Sequence, residues 1–278
     1  MRVSRRGFLS VASALGAAAL TGCTTEQDGT PVPVTTPRPR PVSLGVFDYR
    51  PYAFTDRTGQ VTGEVVEVVR AICDLLGRKL TVKKLPYEAI LPEMDARGID
   101  VVGGLSIRER NCVSLDFTVP DHVSLTAFVV PQGNPKGLST FTEVVATKAR
   151  LGAVIEATDV AAAEQAGVTD LQMFPTPQEM LRAVTEKEID CAVYDDITLR
   201  DELTRTTGLE LRPPFEPPGG APRYGFAFRK GDTLRDEFDG VLPKLHDSGE
   251  WLSIARAFGF TESNIPGTDR VNDKACER

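Results

Sequence analysis

The chain has 278 residues, enough for one large domain or two smaller ones. Its charge balance is acidic, 32 Lys and Arg against 39 Asp and Glu, which argues against nucleic acid as its main partner. Beyond residue 22 no charge-free run reaches the ~18 residues that a membrane-spanning helix needs.

Residues 1–22 read as an export address, to be kept apart from the domain. A basic start is followed by an apolar run from Gly7 to Leu20. Ser4-Arg5-Arg6-Gly7-Phe8-Leu9-Ser10 resembles the twin-arginine export signal, and Leu20-Thr21-Gly22-Cys23 resembles a bacterial lipobox. In signals of that kind the cysteine is acylated and becomes the first residue of the mature protein. Cys23 is therefore expected to anchor the chain to the outer face of the cytoplasmic membrane. Residues 23–41, rich in Thr and Pro, bury no core and read as an extended linker.

Val42 to Phe47 reads as the first strand, and Asp48 to Phe54 as an aromatic turn able to line a cleft. Glu64 to Leu76 has the period of a helix, with Val65, Val68, Val69, Ile72, Leu75 and Leu76 on one side and Gly77 as its stop. Leu80 to Leu85 is a strand. Tyr87 then opens a unit made of a short helix (Ile90, Leu91, Met94), a stop at Gly98 and a buried strand from Ile99 to Val102. Gly103, Gly104 and Ser106 close that strand with small residues, and Arg108 and Arg110 follow. Ligands in open α/β sheets bind at such carboxyl ends. Val123 to Val130 is a strand, broken by Pro131–Gly137. Thr140 and Glu143 resemble a capping box, and Thr158-Asp159 can cap an Ala-rich helix whose N-terminus suits an anion. Thr176-Pro177-Gln178-Glu179 starts another helix (Met180, Leu181, Val184), which leads into a strand ending in Tyr194, Asp195 and Asp196. Arg223 to Arg229 alternates aromatically as a strand, and Asp232 to His246 reads as one amphipathic helix.

The repeating strand–helix order implies α/β with mostly parallel sheets flanked by helices. The two similar helix–strand units imply two lobes with a ligand cleft between them. The expected boundaries are residues 42–122 and 229–265 for the first lobe and 127–220 for the second. Residues 123–126 and 221–228 are the expected hinge crossovers, and 266–278 a loose tail. One unit ends in arginines and the other in aspartates, which suits a zwitterionic ligand. His122 and His246 lack metal-ligand spacing and read as surface or structural, and no Gly-x-Ser-x-Gly motif is present; no metal, cofactor or catalytic residue is expected. Cys191 reads as a buried thiol, and the pairing of Cys73, Cys112, Cys191 and Cys276 stays open.

From Tyr87 through Ile99-Asp100 and Leu105-Ser106-Ile107 to Phe117, the chain resembles the family 3 solute-binding proteins of ABC importers, over about residues 42 to 265. The stretches 133–138, 224–239 and 258–267 are similar to the ectoine- and hydroxyectoine-binding branch. The resemblance implies a type II periplasmic-binding-protein fold and a monomer that hands a small polar solute to ABC permease subunits. It implies that Tyr52 and Tyr87 sandwich the ligand, that Ser106 contacts it, that Thr158 helps hold a carboxylate and that Asp195 takes an amino group, with Asp48 and Tyr49 near the same edge. The family's carboxylate-clamping arginine falls on Asn111, its preceding threonine on Arg108, and a frequent glycine on Glu156, so Arg108 or Arg110 is the substitute clamp if one exists. Two other readings share the fold: a cyclic-acid dehydratase using Glu156 and Asp195 as acid and base, and a sensory lipoprotein with no permease.

Overall fold

A computed structural model describes residues 39–155, 157–217, 220–266 and 276, with Thr158 described by its backbone alone. The export address, Cys23, most of the linker, Glu156 and most of the tail lie outside these residues. Strand Val42–Val46 buries Val42, Leu44 and Val46 and is flanked in parallel by Leu80–Lys84 and Val101–Ser106. The sheet continues with Arg223–Arg229, antiparallel to Val101–Ser106, and then Leu115–Phe117. The second sheet runs Leu171–Phe174, Leu151–Val154, Cys191–Asp195, Thr126–Pro131, Leu209–Leu211. There too a parallel part (the first three strands) meets antiparallel ones.

Both sheets are therefore mixed rather than mostly parallel. A strand that enters from the other lobe needs no helical crossover, so it can run antiparallel to its neighbour. This corrects the second crossover as well. Ser124 N donates to Pro222 O, and the next residues, Arg223–Arg229, form a full strand of the first sheet. Phe226 and Phe228 on that strand are completely buried, and each removes about 1.5–3 kcal/mol worth of apolar surface from water. Burial of the whole run Gly225–Phe228 belongs to a core strand, not a linker. The first crossover is likewise short: Val123 still pairs with Arg223, and Thr126 already pairs with Asp195.

The capped helices form as expected. Thr140 accepts from Glu143 N and Thr176 from Glu179 N. Helix Thr158–Gln165 differs, starting after Ala157 with no side-chain cap. Helix Glu64–Leu75 buries Val65, Val66, Val68, Val69, Ile72 and Cys73 but leaves Leu75 60% exposed. Leu91, expected with Ile90 and Met94 on a buried face, is 46% exposed. The expected helix from Asp232 to His246 breaks into Leu234–Asp239 and Leu242–Ser248, with Pro243 in the first turn of the second. Cys112 and Cys276 form a disulfide, while Cys73 and Cys191 are buried free thiols.

At the junction of the lobes, Asp196 is fully buried. Its Oδ1 accepts from Leu125 N at 2.9 Å, Asn264 Nδ2 donates to both of its oxygens, and Arg200 pairs with it at 2.5 Å. Leu125 lies in the first crossover, so this network anchors the hinge to the helix Asp196–Leu203 and to the final segment of the chain.

Candidate functional site

Strand ends from both lobes converge on a cavity of about 210 Å³. On the first lobe, Phe47 and Tyr49 follow strand Val42–Val46, and Tyr87 opens the short helical turn Tyr87–Ala89. Strand Val101–Ser106 delivers Gly104, Leu105 and Ser106. Gly104 has φ 75°, a conformation costly for any side-chain-bearing residue, and it brings bare backbone to the wall. Helix Glu109–Cys112 then supplies Arg110 and Asn111. Asn111 Nδ2 donates to Ser106 O at 2.8 Å, and Arg108 Nε donates to Ser106 Oγ, so the family's clamp position is spent on orienting the strand end while Arg108 keeps its terminal nitrogens free of that bond.

The opposite wall comes from the second lobe. Asp159, in the first turn of helix Thr158–Gln165, accepts from Thr126 Oγ1 at 2.6 Å. Strand Cys191–Asp195 ends in Tyr194 and Asp195. Asp195 Oδ1 caps the next helix by accepting from Thr198 N at 2.8 Å. Burial pushes the Asp195 carboxyl up to about 7, with Asp196 and Asp159 adding to the rise and Thr198 opposing it. Burial also raises Asp159. Tyr224 lines the cavity from the first sheet, where it pairs with Ser106, and burial raises the phenols of Tyr49, Tyr194 and Tyr224, keeping them neutral donors and acceptors.

Side chains beside the cavity join the lobes. Tyr49 Oη lies 3.1 Å from Tyr194 Oη, and Tyr52 Oη donates to Asp195 Oδ1 at 3.3 Å. Arg50 grips Asp201 with two bonds of 3.2 Å. The cavity thus combines aromatic rings, a basic wall and an acidic wall.

Of the residues expected from sequence, Tyr49, Tyr87, Ser106, Arg108, Arg110, Asn111 and Asp195 line the cavity. Tyr52 does not. It is 4% exposed, stacked behind Tyr49 at 5.0 Å, and reaches the site by that stacking and by its bond to Asp195. Asp48 faces a neighbouring outer groove with Lys84, its ion-pair partner. Thr158 lies between two lining residues, Ala157 and Asp159, and its side chain is outside the description. Tyr87 is 60% exposed at the rim, with its edge against Phe47. Phe47, Thr126, Asp159, Tyr194 and Tyr224 join the site without having been singled out for it. Tyr194 had a signal, since it precedes Asp195 at a strand end. Asp159 had only the look of a helix cap.

The family model of bacterial extracellular solute-binding proteins, family 3, matches residues 44–261. A probable amino-acid ABC transporter periplasmic-binding protein of Sinorhizobium fredii is 22% identical over 248 residues, 84% of this chain and 82% of that protein. An arginine-binding periplasmic protein of Mannheimia haemolytica is 21% identical over 74% of this chain and 85% of its own length. Among solved structures, the L-cystine solute receptor of Neisseria gonorrhoeae, in its unliganded open conformation, superposes with a TM-score of 0.70 at 19% identity, covering 82% of this chain and 96% of the receptor. An ancestral cationic amino acid solute binding protein superposes at 0.69 with 21% identity, covering 79% and 95%. These neighbours have the two-lobed type II periplasmic-binding-protein fold.

Proposed function

We infer what this chain does from the fact that it belongs to the bacterial extracellular solute-binding proteins of family 3. It captures a small amino-acid-like zwitterion between its lobes and delivers it to the permease of an ABC importer. The observation that carries this is the charge division of one cavity, with Arg108 and Arg110 on the wall of the first lobe and Asp159 and Asp195 on that of the second. Arg108, positioned by Ser106, takes the carboxylate. Asp195 and Asp159 take the cationic group, and Phe47, Tyr49 and Tyr194 enclose the apolar part. Closure of the lobes excludes water, which strengthens both charge contacts. Relatives named for amino acids support this ligand class, and a compatible solute of the ectoine type has the same charge pattern. In this reading the carboxyls of the site act as ligand contacts, and Asp195 caps a helix as well.

A thermal-shift screen of amino acids, opines and compatible solutes tests the reading, since a ligand of the folded state alone raises the Tm. A zwitterion should give the largest shift. A response only to neutral sugars or to metal-free anions would sink the proposed ligand class, and turnover of a prephenate-like acid would favour the dehydratase. The chain reaches its station by the twin-arginine signal and is held there through acylated Cys23, with residues 23–41 as spacer. Cys23→Ala should release the protein from the membrane fraction or block its processing; unchanged fractionation would rule the anchor out.

A further inference from the structure

One layer behind the cleft wall, Glu64, Asp121 and His122 converge in the core of the first lobe. Each offers one donor atom, and these lie within 4.8 Å of one another. They are 0%, 2% and 1% exposed. Glu64 is the first residue of helix Glu64–Leu75, and Asp121 and His122 lead directly into the first crossover. The group is held firmly from outside. Asp121 Oδ1 accepts from Trp251 Nε1 at 2.8 Å, and Asp121 Oδ2 lies 3.0 Å from His122 Nδ1. The His122 ring is stacked between Tyr52 and Tyr224, with centroids 5.4 and 4.8 Å away.

Position is satisfied, but charge is not. As a carboxylate, Glu64 meets no donor at either oxygen, and His122 Nε2 has no partner among the described residues. Burial and the facing Asp121 push Glu64 well above the usual carboxylate range. A proton on Glu64 would allow one bond to Asp121, yet it would leave the second Glu64 oxygen unmatched. An unpaired buried carboxylate is among the most costly groups a core can hold. A doubly charged ion offsets both carboxylates and takes one imidazole nitrogen of His122 as a third donor.

We propose that Glu64, Asp121 and His122 bind a divalent cation in the core of the first lobe. One imidazole nitrogen with two carboxylate oxygens suits Zn²⁺ or Mn²⁺. The ion stands at the root of the crossover and behind Tyr52, whose hydroxyl reaches Asp195 in the cleft. The test uses the tag-free full chain, purified without chelating resin. Metal analysis, and calorimetric titration of chelator-stripped protein with Zn²⁺ and with Mn²⁺, should find about one equivalent bound. Stripping should lower the Tm and the ion should restore it. Glu64→Gln should weaken binding by about tenfold or more. Because the chain has two histidines, ring NMR of the wild type locates the ion even if that variant folds poorly: Zn²⁺ should perturb His122 more than His246. A wild type that binds neither ion with unchanged Tm would leave a carboxyl pair sharing a proton, and the proposal would fall. It falls equally if the ion binds but leaves the His122 ring signals in place.

Discussion

Asp195 serves three neighbours at once: the cap of a helix, the hydroxyl of Tyr52 and the acidic wall of the cavity. Asn can cap as well as Asp, so Asp195→Asn removes charge and keeps the helix start. We expect that variant to bind a zwitterion about tenfold or more weakly in calorimetry, as the loss of a charge-assisted bond requires. The raised carboxyl also dictates a sign for pH. Near pH 4 to 7 the folded protein keeps a proton on Asp195 that the unfolded chain has released, so this group's contribution to stability is full below about 4 and is lost as pH rises through about 7. The difference in Tm between wild type and Asp195→Asn should therefore shift in favour of the variant as pH rises across that window, levelling above it. A constant difference would mean that Asp195 is ionised throughout. A cationic ligand should also expel that proton on binding, read as a buffer-dependent heat at pH 6. At this scale the sequence shows which residues end strands, but not which of them meet. Asp195 was legible from its strand end, whereas Asp159 enters the site because the lobes approach each other and Tyr224 because its strand pairs beside Ser106, and no local pattern encodes either.

Helix Glu109–Cys112 is a short element fixed at both edges. Asn111 ties it to Ser106 O, and Cys112 ties it to Cys276. Its position explains how a basic wall persists where Asn111 stands in the clamp position. Of the two arginines, Arg108 is the one whose guanidinium is held by Ser106 Oγ. Arg108→Gln should weaken ligand binding by about 1.5–3 kcal/mol, the scale of a hydrogen bond to a charged group, and Arg110→Gln by clearly less. The reverse order would make Arg110 the carboxylate contact. Elements with caps were readable from sequence, as Thr140 and Thr176 demonstrate. Strand Arg223–Arg229 was read as a strand but assigned to a hinge, because proline-rich flanks mark a break without marking the sheet that the chain joins afterwards.

In the whole molecule, the two lobes are latched by Arg50 on Asp201, with Arg50 also lying 3.6 Å over the ring of Phe54. Asp201 keeps Arg205 as a second partner, so Arg50→Gln leaves no carboxylate stranded. The Arg50 side chain is 39% exposed, and such a pair contributes little to overall stability. It acts instead on the balance of open and closed states. Arg50→Gln should raise the ligand dissociation rate about two- to fivefold and enlarge the unliganded molecule in small-angle scattering, with nearly the same Tm. Equal dissociation rates would remove the latch. Two lobes were legible from the repeated helix–strand unit, while the mixed sheets and the short first crossover depend on strand pairing between residues far apart in sequence. The Cys112–Cys276 bond, 164 residues apart, has a topological consequence. It converts everything from the basic helix through the second lobe and back into a covalent ring, which contains both segments that enter and leave the second lobe. A protease that nicks any exposed loop of that ring opens it without dividing the molecule. The nicked protein should migrate as one band without reductant and as two with it, so the wall that carries Arg110 and Asn111 stays covalently joined to both sides of the cut.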